Sequence, residues 1–147
     1  MTRSILVPVD GSEQADAAFE HAIETDDDVE LTVLYVLGPT QTGYFREDAD
    51  IEETPGADYE ARIEKETAFL EGYAERGKAA GIPVSVETIV AGERGHESRE
   101  IIAFAEETGV DEIVMGSHGR TGVSRVLLGS VAERVVRRAP VPVTVVR

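Results

Sequence analysis

The chain has 147 residues, which suits one domain whose hydrophobic core needs no covalent or metal support. It contains no cysteine, which excludes disulfides and thiolate metal sites, and its apolar runs are too short for a signal peptide or a membrane span, so we expect a cytoplasmic protein. The formal net charge of -15 argues against nucleic acid or an anionic membrane as a partner.

The charge also bears on the environment and on the ligand. Only Lys65 and Lys78 among the 14 basic residues are lysines, and an acid-rich, lysine-poor surface is typical of salt-in halophiles, where molar salt screens self-repulsion. The alternative is an ordinary acidic cytoplasmic protein. Residues 116–147 differ from the rest, since they hold six arginines and one acid, a net charge of +5 that suits an anionic ligand.

Five short runs rich in valine, isoleucine and leucine alternate with helical patterns. Because these runs are almost continuously apolar, they are typical of parallel strands that are covered on both faces. The predicted strands are Ser4–Val9, Glu30–Leu37, Val84–Val90, Glu112–Gly116 and Val141–Val146.

Four helices are predicted between these strands. The first begins after Ser12, its expected N-cap, and the second runs from about Asp58 to Ala80. The third runs roughly from Gly95 to Thr108, and the fourth begins near Ser130 and ends before Pro140. The faces expected to be buried are Ala15, Ala18, Phe19 and Ala22 in the first, Ile63, Thr67, Leu70 and Ala74 in the second, Ile101, Ile102 and Ala105 in the third, and Val131, Val135 and Val136 in the fourth. The alternation predicts an α/β fold, a doubly wound open sheet of five parallel strands with four helices, as one domain over residues 1–147.

One acidic stretch, residues 38–57, has no regular period. A loop of this length in a compact domain is usually a functional lid or a disordered insertion. It follows the second strand and so leaves the same sheet edge as the predicted ligand loops. We favour a mobile flap beside the site over a purely solvated insertion.

The most specific motif is a set of glycines before the fourth helix. Gly116, Gly119 and Gly129-Ser130 form G-x2-G-x9-G-S between the fourth strand and that helix. Glycines leave backbone amides uncovered, and a helix N-terminus attracts negative charge, so the motif predicts an anion site such as one for a nucleotide phosphate. The Ser130 hydroxyl adds a donor, and at least one of Gly116 and Gly119 is expected to need a positive φ.

Charged residues near this motif leave more than one interpretation open. Arg120 and Arg125 could contact phosphates or a partner subunit, although exposed loop arginines are more often solvated, and His118 is expected to be a plain loop residue. The arginines at 134, 137 and 138 suit the last turns of a helix, where cations are favoured.

Asp10 ends the first strand, next to the predicted crevice. In a doubly wound sheet, ligands lie outside the carboxyl ends of strands where the strand order reverses, so this carboxylate could accept hydrogen bonds from ribose hydroxyls or reach a metal through water. The alternative is that Asp10-Gly11-Ser12 caps the first helix. No P-loop, dinucleotide fingerprint or serine elbow is present, which favours binding over fast catalysis.

Taken together, these residues resemble the universal stress protein family in its nucleotide-binding branch. The resemblance rests on Val7-Pro8-Val9-Asp10-Gly11-Ser12, the glycine motif and the closing run 140–146, and it spans essentially the whole chain. It implies a Rossmann-like fold of the adenine nucleotide alpha hydrolase-like kind, which binds ATP, usually with Mg²⁺ or Mn²⁺ held through the phosphates. With the acid-rich, lysine-poor composition, we expect a halophilic archaeon as the source.

The resemblance also assigns roles by position. Pro8, Val9, Asp10 and Val36 would hold the adenosine, Met115 would line the adenine pocket, and Gly116, Gly119, Gly129, Ser130 and Val131 would hold ribose and phosphates, with Arg120 a further candidate. No catalytic residue and no protein ligand to a metal is expected.

The expected function is that of an ATP-binding stress-response sensor or regulator, with slow hydrolysis of ATP at most. The alternatives are a dimeric scaffold of the same fold that has lost the nucleotide, and a slow ATP-hydrolysing or adenylating enzyme. The resemblance implies a homodimer through the final strand Val141–Val146, and an open strand edge there favours pairing with a second copy over an edge capped by helices.

Overall fold

The computed structural model of the protein describes residues 2–37, 57–90, 97–117 and 128–147. The elements are, in chain order, β1 (Arg3–Val9), α1 (Glu13–Thr25), β2 (Val29–Leu37), α2 (Ala57–Ala80), β3 (Val84–Val90), α3 (Glu97–Thr108), β4 (Glu112–Gly116), α4 (Ser130–Arg138) and β5 (Val143–Val146). None of the helices in these ranges is both long enough and apolar enough to cross a membrane.

The five strands form one parallel sheet in the order β3-β2-β1-β4-β5. This confirms the predicted α/β fold with an open, doubly wound sheet and four helices. The chain winds outwards from β1 to one edge and then from β4 to the other, so the strand order reverses between β1 and β4. The carboxyl ends of these two strands, at Val9 and Gly116, therefore flank the topological switch point.

Both faces of the sheet are buried, as the apolar runs predict. On β1, Val7 is fully buried in the cluster that contains Phe19 of α1, whereas its neighbour Leu6 is fully buried in the cluster that contains Ile101 of α3 and Val135 of α4. The side chains of successive strand residues point to opposite faces of the sheet. When both faces are covered, every position of the strand is buried and favours an apolar residue.

Helix boundaries follow local chemistry. The Ser12 hydroxyl accepts a hydrogen bond from the Ala15 amide at 3.1 Å, which confirms Ser12 as the N-cap of α1. Gly81 and Gly109 follow the ends of α2 and α3 with φ values of +75° and +66°, the left-handed conformation in which glycine is favoured.

Two predicted helix faces are wrong in detail. On α2, side-chain burial is described from Glu64 onwards, so the predicted Ile63 lies outside it. Within that part Thr67 is exposed, and the buried positions are Leu70, Tyr73 and Gly77. A Cβ at Gly77 would lie 2.1 Å from Cγ2 of Val84. The absence of a side chain at Gly77 therefore allows α2 to approach β3 closely on this side of the helix. On α3, Ile102 is only half-buried.

The predicted face of α4 is also shifted. Val136 is 46% exposed, and the buried positions are Ala132 and Val135, which belong to the same core cluster as Ile101 and Ala105 of α3. Ala132 and Val135 are three residues apart and therefore lie on one side of α4, the side that packs against α3. Val136 lies on a different side of the helix and is exposed to solvent.

The last strand is shorter than predicted, since it begins at Val143 rather than Val141. The carbonyl of Pro142 accepts a hydrogen bond from the Ile113 amide at 3.0 Å, and pairing of side-by-side residues then starts with Ile113 and Val143. Neither Pro140 nor Pro142 has an N–H to donate to a ladder. Val141 instead packs, half-buried, against the cluster of α3 and α4.

A charged and aromatic cluster joins α1 to α2. The Arg76 guanidinium pairs with Asp16 at 2.6 Å and with Glu20, and it lies 4.8 Å from the centroid of the Phe19 ring. Burial raises the pKa of the adjacent Tyr73, and the negative charge of Asp16 raises it further. Tyr73 therefore stays protonated in the folded protein at neutral pH.

Candidate functional site

The carboxyl end of β1 carries Asp10 on a tight turn. Gly11 has a φ of +84°, which favours glycine, and Asp10 Oδ1 accepts a hydrogen bond from the Ser12 amide at 2.9 Å. The helix cap itself is Ser12, so Asp10 supports the turn rather than capping the helix. The carboxylate is half-buried and has further lone pairs, so it can also accept hydrogen bonds from a ligand.

Pro8 removes a backbone donor that would face β4 at the switch point. The Arg3 amide donates to the Asp28 carbonyl at 3.1 Å, on the side of β1 that faces β2. The Ser4 amide donates to the Asp111 carboxylate at 2.8 Å, on the side that faces β4. Backbone groups of successive strand residues alternate in direction, so residue 8 faces β4 as residue 4 does. Proline has no N–H, and the pairing of β1 with β4 extends only to Leu6 and Ile113. Sequence reasoning had not recognised this role.

Gly116, at the end of β4, is required by packing. A Cβ on it would lie 2.8 Å from the carbonyl carbon of Gln14 and 3.0 Å from the Ala15 amide nitrogen, in the first turn of α1. It is not among the glycines with positive φ in the described ranges, which are Gly11, Gly81 and Gly109. The expected positive φ is therefore absent at Gly116, and Gly119 lies outside the described residues.

The N-terminus of α4 is fixed to the end of β4. The Gly129 amide donates to the Ser117 carbonyl at 2.7 Å, and the Ser117 amide donates to the Val146 carbonyl at 2.8 Å. These bonds place the beginning of α4 beside the carboxyl ends of β4 and β5, at the edge of the sheet where β1 ends with Asp10.

The first turn of α4 has the geometry of an anion site. Gly129 is the N-cap, with φ -69° and ψ 164°, and it contributes no side-chain hydrogen bond. The first helical bond runs from the Glu133 amide to the Gly129 carbonyl at 2.9 Å, so the amides of Ser130, Val131 and Ala132 have no acceptor within the helix. These three donors and the positive end of the helix dipole favour negative charge.

The apolar candidates separate into two groups. Val36 and Met115 are buried to within 6% and 5% exposure in the same cluster, on the face of the sheet covered by α3 and α4. Val9 belongs to the cluster on the opposite face, and Pro8 is buried in the central strand. The structure thus places Val36 and Met115 on the same face of the sheet, whereas Val9 lies on the opposite face.

A small groove extends the site in a direction that sequence reasoning missed. It lies between the N-termini of α3 and α4, has a volume of about 100 Å³, and is lined by Glu97, Ser98, Ser130, Val131 and Arg134. Ser98, the second residue of α3, is a polar side chain with only 4% exposure. Arg134 lies in the middle of α4 rather than in its last turn, which holds Arg137 and Arg138.

Several predicted features cannot be placed. Gly119, Arg120, Arg125 and His118 lie outside the described residues, as do residues 38–56 of the acidic loop. Among the residues that are described, no group of three or more His, Cys, Asp or Glu side chains could hold a metal ion.

Comparison with known proteins gives consistent matches along the whole chain. Residues 1–147 match the universal stress protein family. The chain is 33% identical over 158 residues to universal stress protein MJ0531 of Methanocaldococcus jannaschii, covering 99% of this chain and 82% of that protein. It is also 33% identical over 159 residues to universal stress protein MJ0577 of the same organism, covering 100% of this chain and 96% of that protein.

Solved structures share the fold. The structure of MJ0577 superposes with a TM-score of 0.79 at 31% identity, over 99% of this chain and 96% of that one. A universal stress protein from Archaeoglobus fulgidus, solved in complex with dAMP, has a TM-score of 0.67 at 21% identity, over 100% of this chain and 98% of that one.

Proposed function

The chain belongs to the universal stress protein family, and we propose from this that it binds ATP at the carboxyl edge of its sheet and acts as a nucleotide-dependent sensor or regulator of a stress response. The observation that carries the proposal is the first turn of α4, where three amides without helical acceptors follow a glycine N-cap beside the switch point. The dAMP complex of the Archaeoglobus protein supports an adenine nucleotide as the ligand.

The residues proposed for the site follow the geometry of the edge. Val36 and Met115 would form an apolar floor for the base, while Pro8, Val9 and Asp10 would contact the adenosine from the end of β1. The glycines at 116, 119 and 129, with Ser130 and Val131, would hold the ribose and phosphates, and Arg120 is a further candidate for a phosphate contact.

A divalent cation would be held by the nucleotide rather than by the protein. Mg²⁺ prefers phosphate oxygens with one or two carboxylates and retains several waters, and the described part of the site contributes only Asp10 and Glu97 as carboxylates. Bound in this way, Mg²⁺ or Mn²⁺ would reduce the charge of the phosphates. The residues present suit retention of ATP better than rapid turnover, because no activated nucleophile or general base is evident in the described part of the chain.

Three broader features belong to the same proposal. We propose that residues 1–147 function as one domain in the cytoplasm, that two copies pair through the outer edge of β5, and that the acidic surface is an adaptation to high salt. Support for the dimer comes from β5 itself, whose one edge pairs with β4 while no described strand pairs with the other.

Thermal unfolding with nucleotides tests the proposal. A ligand that binds only the folded state at 100 times its Kd adds about 2.7 kcal/mol to the free energy of unfolding, so millimolar ATP with Mg²⁺ should raise Tm clearly. Purified protein should also release adenine nucleotide on denaturation, as read by mass spectrometry. No Tm shift and no bound nucleotide would favour the scaffold alternative, whereas several turnovers per second would indicate an enzyme.

Asp10→Asn and Asp10→Ala separate the two roles of Asp10. Asparagine keeps an oxygen that can accept from the Ser12 amide, and alanine keeps none. We expect both variants to bind ATP more weakly if the charge contacts ligand, and only alanine to lower the Tm of the free protein. Unchanged ATP affinity in both would remove Asp10 from the site.

A further inference from the structure

We propose that the groove between the N-termini of α3 and α4 holds the terminal phosphate of the nucleotide, and that Ser98 and Arg134 make the site select a triphosphate over a monophosphate. This inference rests on the proposed function, since it assigns a specificity to the same site. It involves residues of α3 and of the middle of α4, outside the glycine motif.

The size of the groove limits what can enter. At about 100 Å³ the groove is small and has room for one tetrahedral phosphoryl group. Ser130 and Val131 line this groove and also begin α4. The groove is therefore continuous with the amides that we propose to hold the phosphate chain.

Ser98 points to a polar occupant. Its exposure is 4%, it lines the groove, and its hydroxyl makes no hydrogen bond to any other described residue. A buried hydroxyl without a partner is unfavourable, because it has lost its hydrogen bonds to water. A phosphate oxygen in the groove would accept a hydrogen bond from this hydroxyl and remove that cost.

The groove favours an anion through the first turn of α4 rather than through a net side-chain charge. Arg134 lines the groove and forms no ion pair within the described ranges, whereas Arg137, on the same helix, pairs with Glu133 at 2.8 Å. Glu97 also lines the groove and opposes an anion. Arg134 offsets that charge, so the amides of the first turn of α4 tip the balance towards a phosphate.

Binding of ATP and AMP by matched variants tests the inference. Calorimetry with Arg134→Gln should show a loss of ATP affinity of about tenfold, the loss expected for one charge-assisted hydrogen bond, with AMP affinity unchanged within twofold. Ser98→Ala should weaken ATP by a smaller factor, leave AMP unchanged, and keep or raise the Tm of the free protein. Arg137→Gln is the control, since it removes an equal charge outside the groove and should change neither affinity.

The possible results separate this inference from the proposed function. An equal loss for ATP and AMP in Arg134→Gln, or the same effect in Arg137→Gln, would overturn the inference while leaving the nucleotide site intact. If inorganic phosphate alone raises the Tm of the wild type but not of Arg134→Gln, and ATP binds no better than AMP, the groove is a free-phosphate site and the inference is wrong. If neither ATP nor AMP binds the wild type, the proposed function fails as well.

Discussion

The Gly129 amide donates a 2.7 Å hydrogen bond to the Ser117 carbonyl, and this one bond joins the two ends of residues 118–128. The first turn of α4 is thus tied to the end of β4 by a backbone hydrogen bond. This bond sets the N-terminus of the helix beside the carboxyl end of the strand.

Gly129→Ser should stabilise the protein and weaken ATP binding. The backbone at φ -69° and ψ 164° is open to any residue, and a serine hydroxyl at the N-cap would accept a hydrogen bond from the first turn of α4, worth about a few tenths of a kcal/mol relative to glycine. The same hydroxyl would compete with phosphate for those amides. Urea unfolding and calorimetry would measure the two effects, with Gly129→Ala as the control without an oxygen. A serine variant that binds ATP more tightly would contradict this.

Gly116→Ala should destabilise the protein by about 1–3 kcal/mol, because its Cβ would overlap the backbone of Gln14 in the first turn of α1. Gly72→Ala is a matched control within α2, where nothing lies within 4 Å of the added Cβ and helix propensity should contribute up to about 1 kcal/mol of stability. Urea denaturation at fixed salt would compare them. Equal stability in the two variants would show that β4 and α1 are not so closely packed.

Stability should fall with rising pH above about 10 because of Tyr73. Its pKa is raised in the folded protein by burial and by Asp16, so the unfolded chain loses this proton first. Below pH 10 both states keep the proton and the contribution is complete; above it, the folded state binds more protons and each further increase in pH favours unfolding. Tyr73→Phe should show a shallower decline in urea unfolding between pH 9 and 11, and an identical slope would exclude Tyr73 as the cause.

Salt should stabilise the protein if the surface is adapted to high salt. With a net charge of -15, self-repulsion is strong at 0.1 M salt, where the screening length is about 10 Å, and weak at 1 M, where it is about 3 Å. We expect Tm to rise by about 3 °C for each kcal/mol gained between 0.1 and 2 M KCl. A Tm that stays constant or falls would favour an ordinary acidic protein.

Val145→Pro should disrupt the proposed dimer without unfolding the monomer. The Ser117 amide bonds to the Val146 carbonyl and the Ile113 amide to that of Pro142, so even-numbered residues of β5 face β4, and the Val145 amide faces the open edge. Light scattering should give twice 15.9 kDa for the wild type and for Val145→Thr, which keeps the amide, and 15.9 kDa for the proline variant. A proline variant that remains dimeric would place the interface elsewhere.

The sheet could be predicted because its signal is local. An uninterrupted apolar run such as residues 4–9 predicts a strand that is covered on both faces. A glycine can end a helix through its own conformation, so the ends of α2 and α3 do not depend on how the helices pack. Features that arise only when elements meet could not be predicted. Val136 is exposed because α3 packs on a different side of α4, and Gly116 is small because α1 lies across it.

The groove was missed for the same reason. Ser98 appears in the sequence as an ordinary polar residue near a helix start, and Arg134 as one of three arginines in a basic tail. Only the packing of α3 beside α4 buries the first and brings the second to the same small volume. The sequence could indicate an anion site near Ser130, but not the proposed preference for a triphosphate over a monophosphate.

The proline at position 8 has a kinetic consequence. Since β1 has no amide there to give to β4, a ligand that enters between the two strand ends breaks no interstrand hydrogen bond at this point. Association should therefore not require this part of the sheet to open, and its rate should rise linearly with nucleotide concentration at low concentrations. Pro8 thus removes a hydrogen bond that nucleotide binding would otherwise have to break.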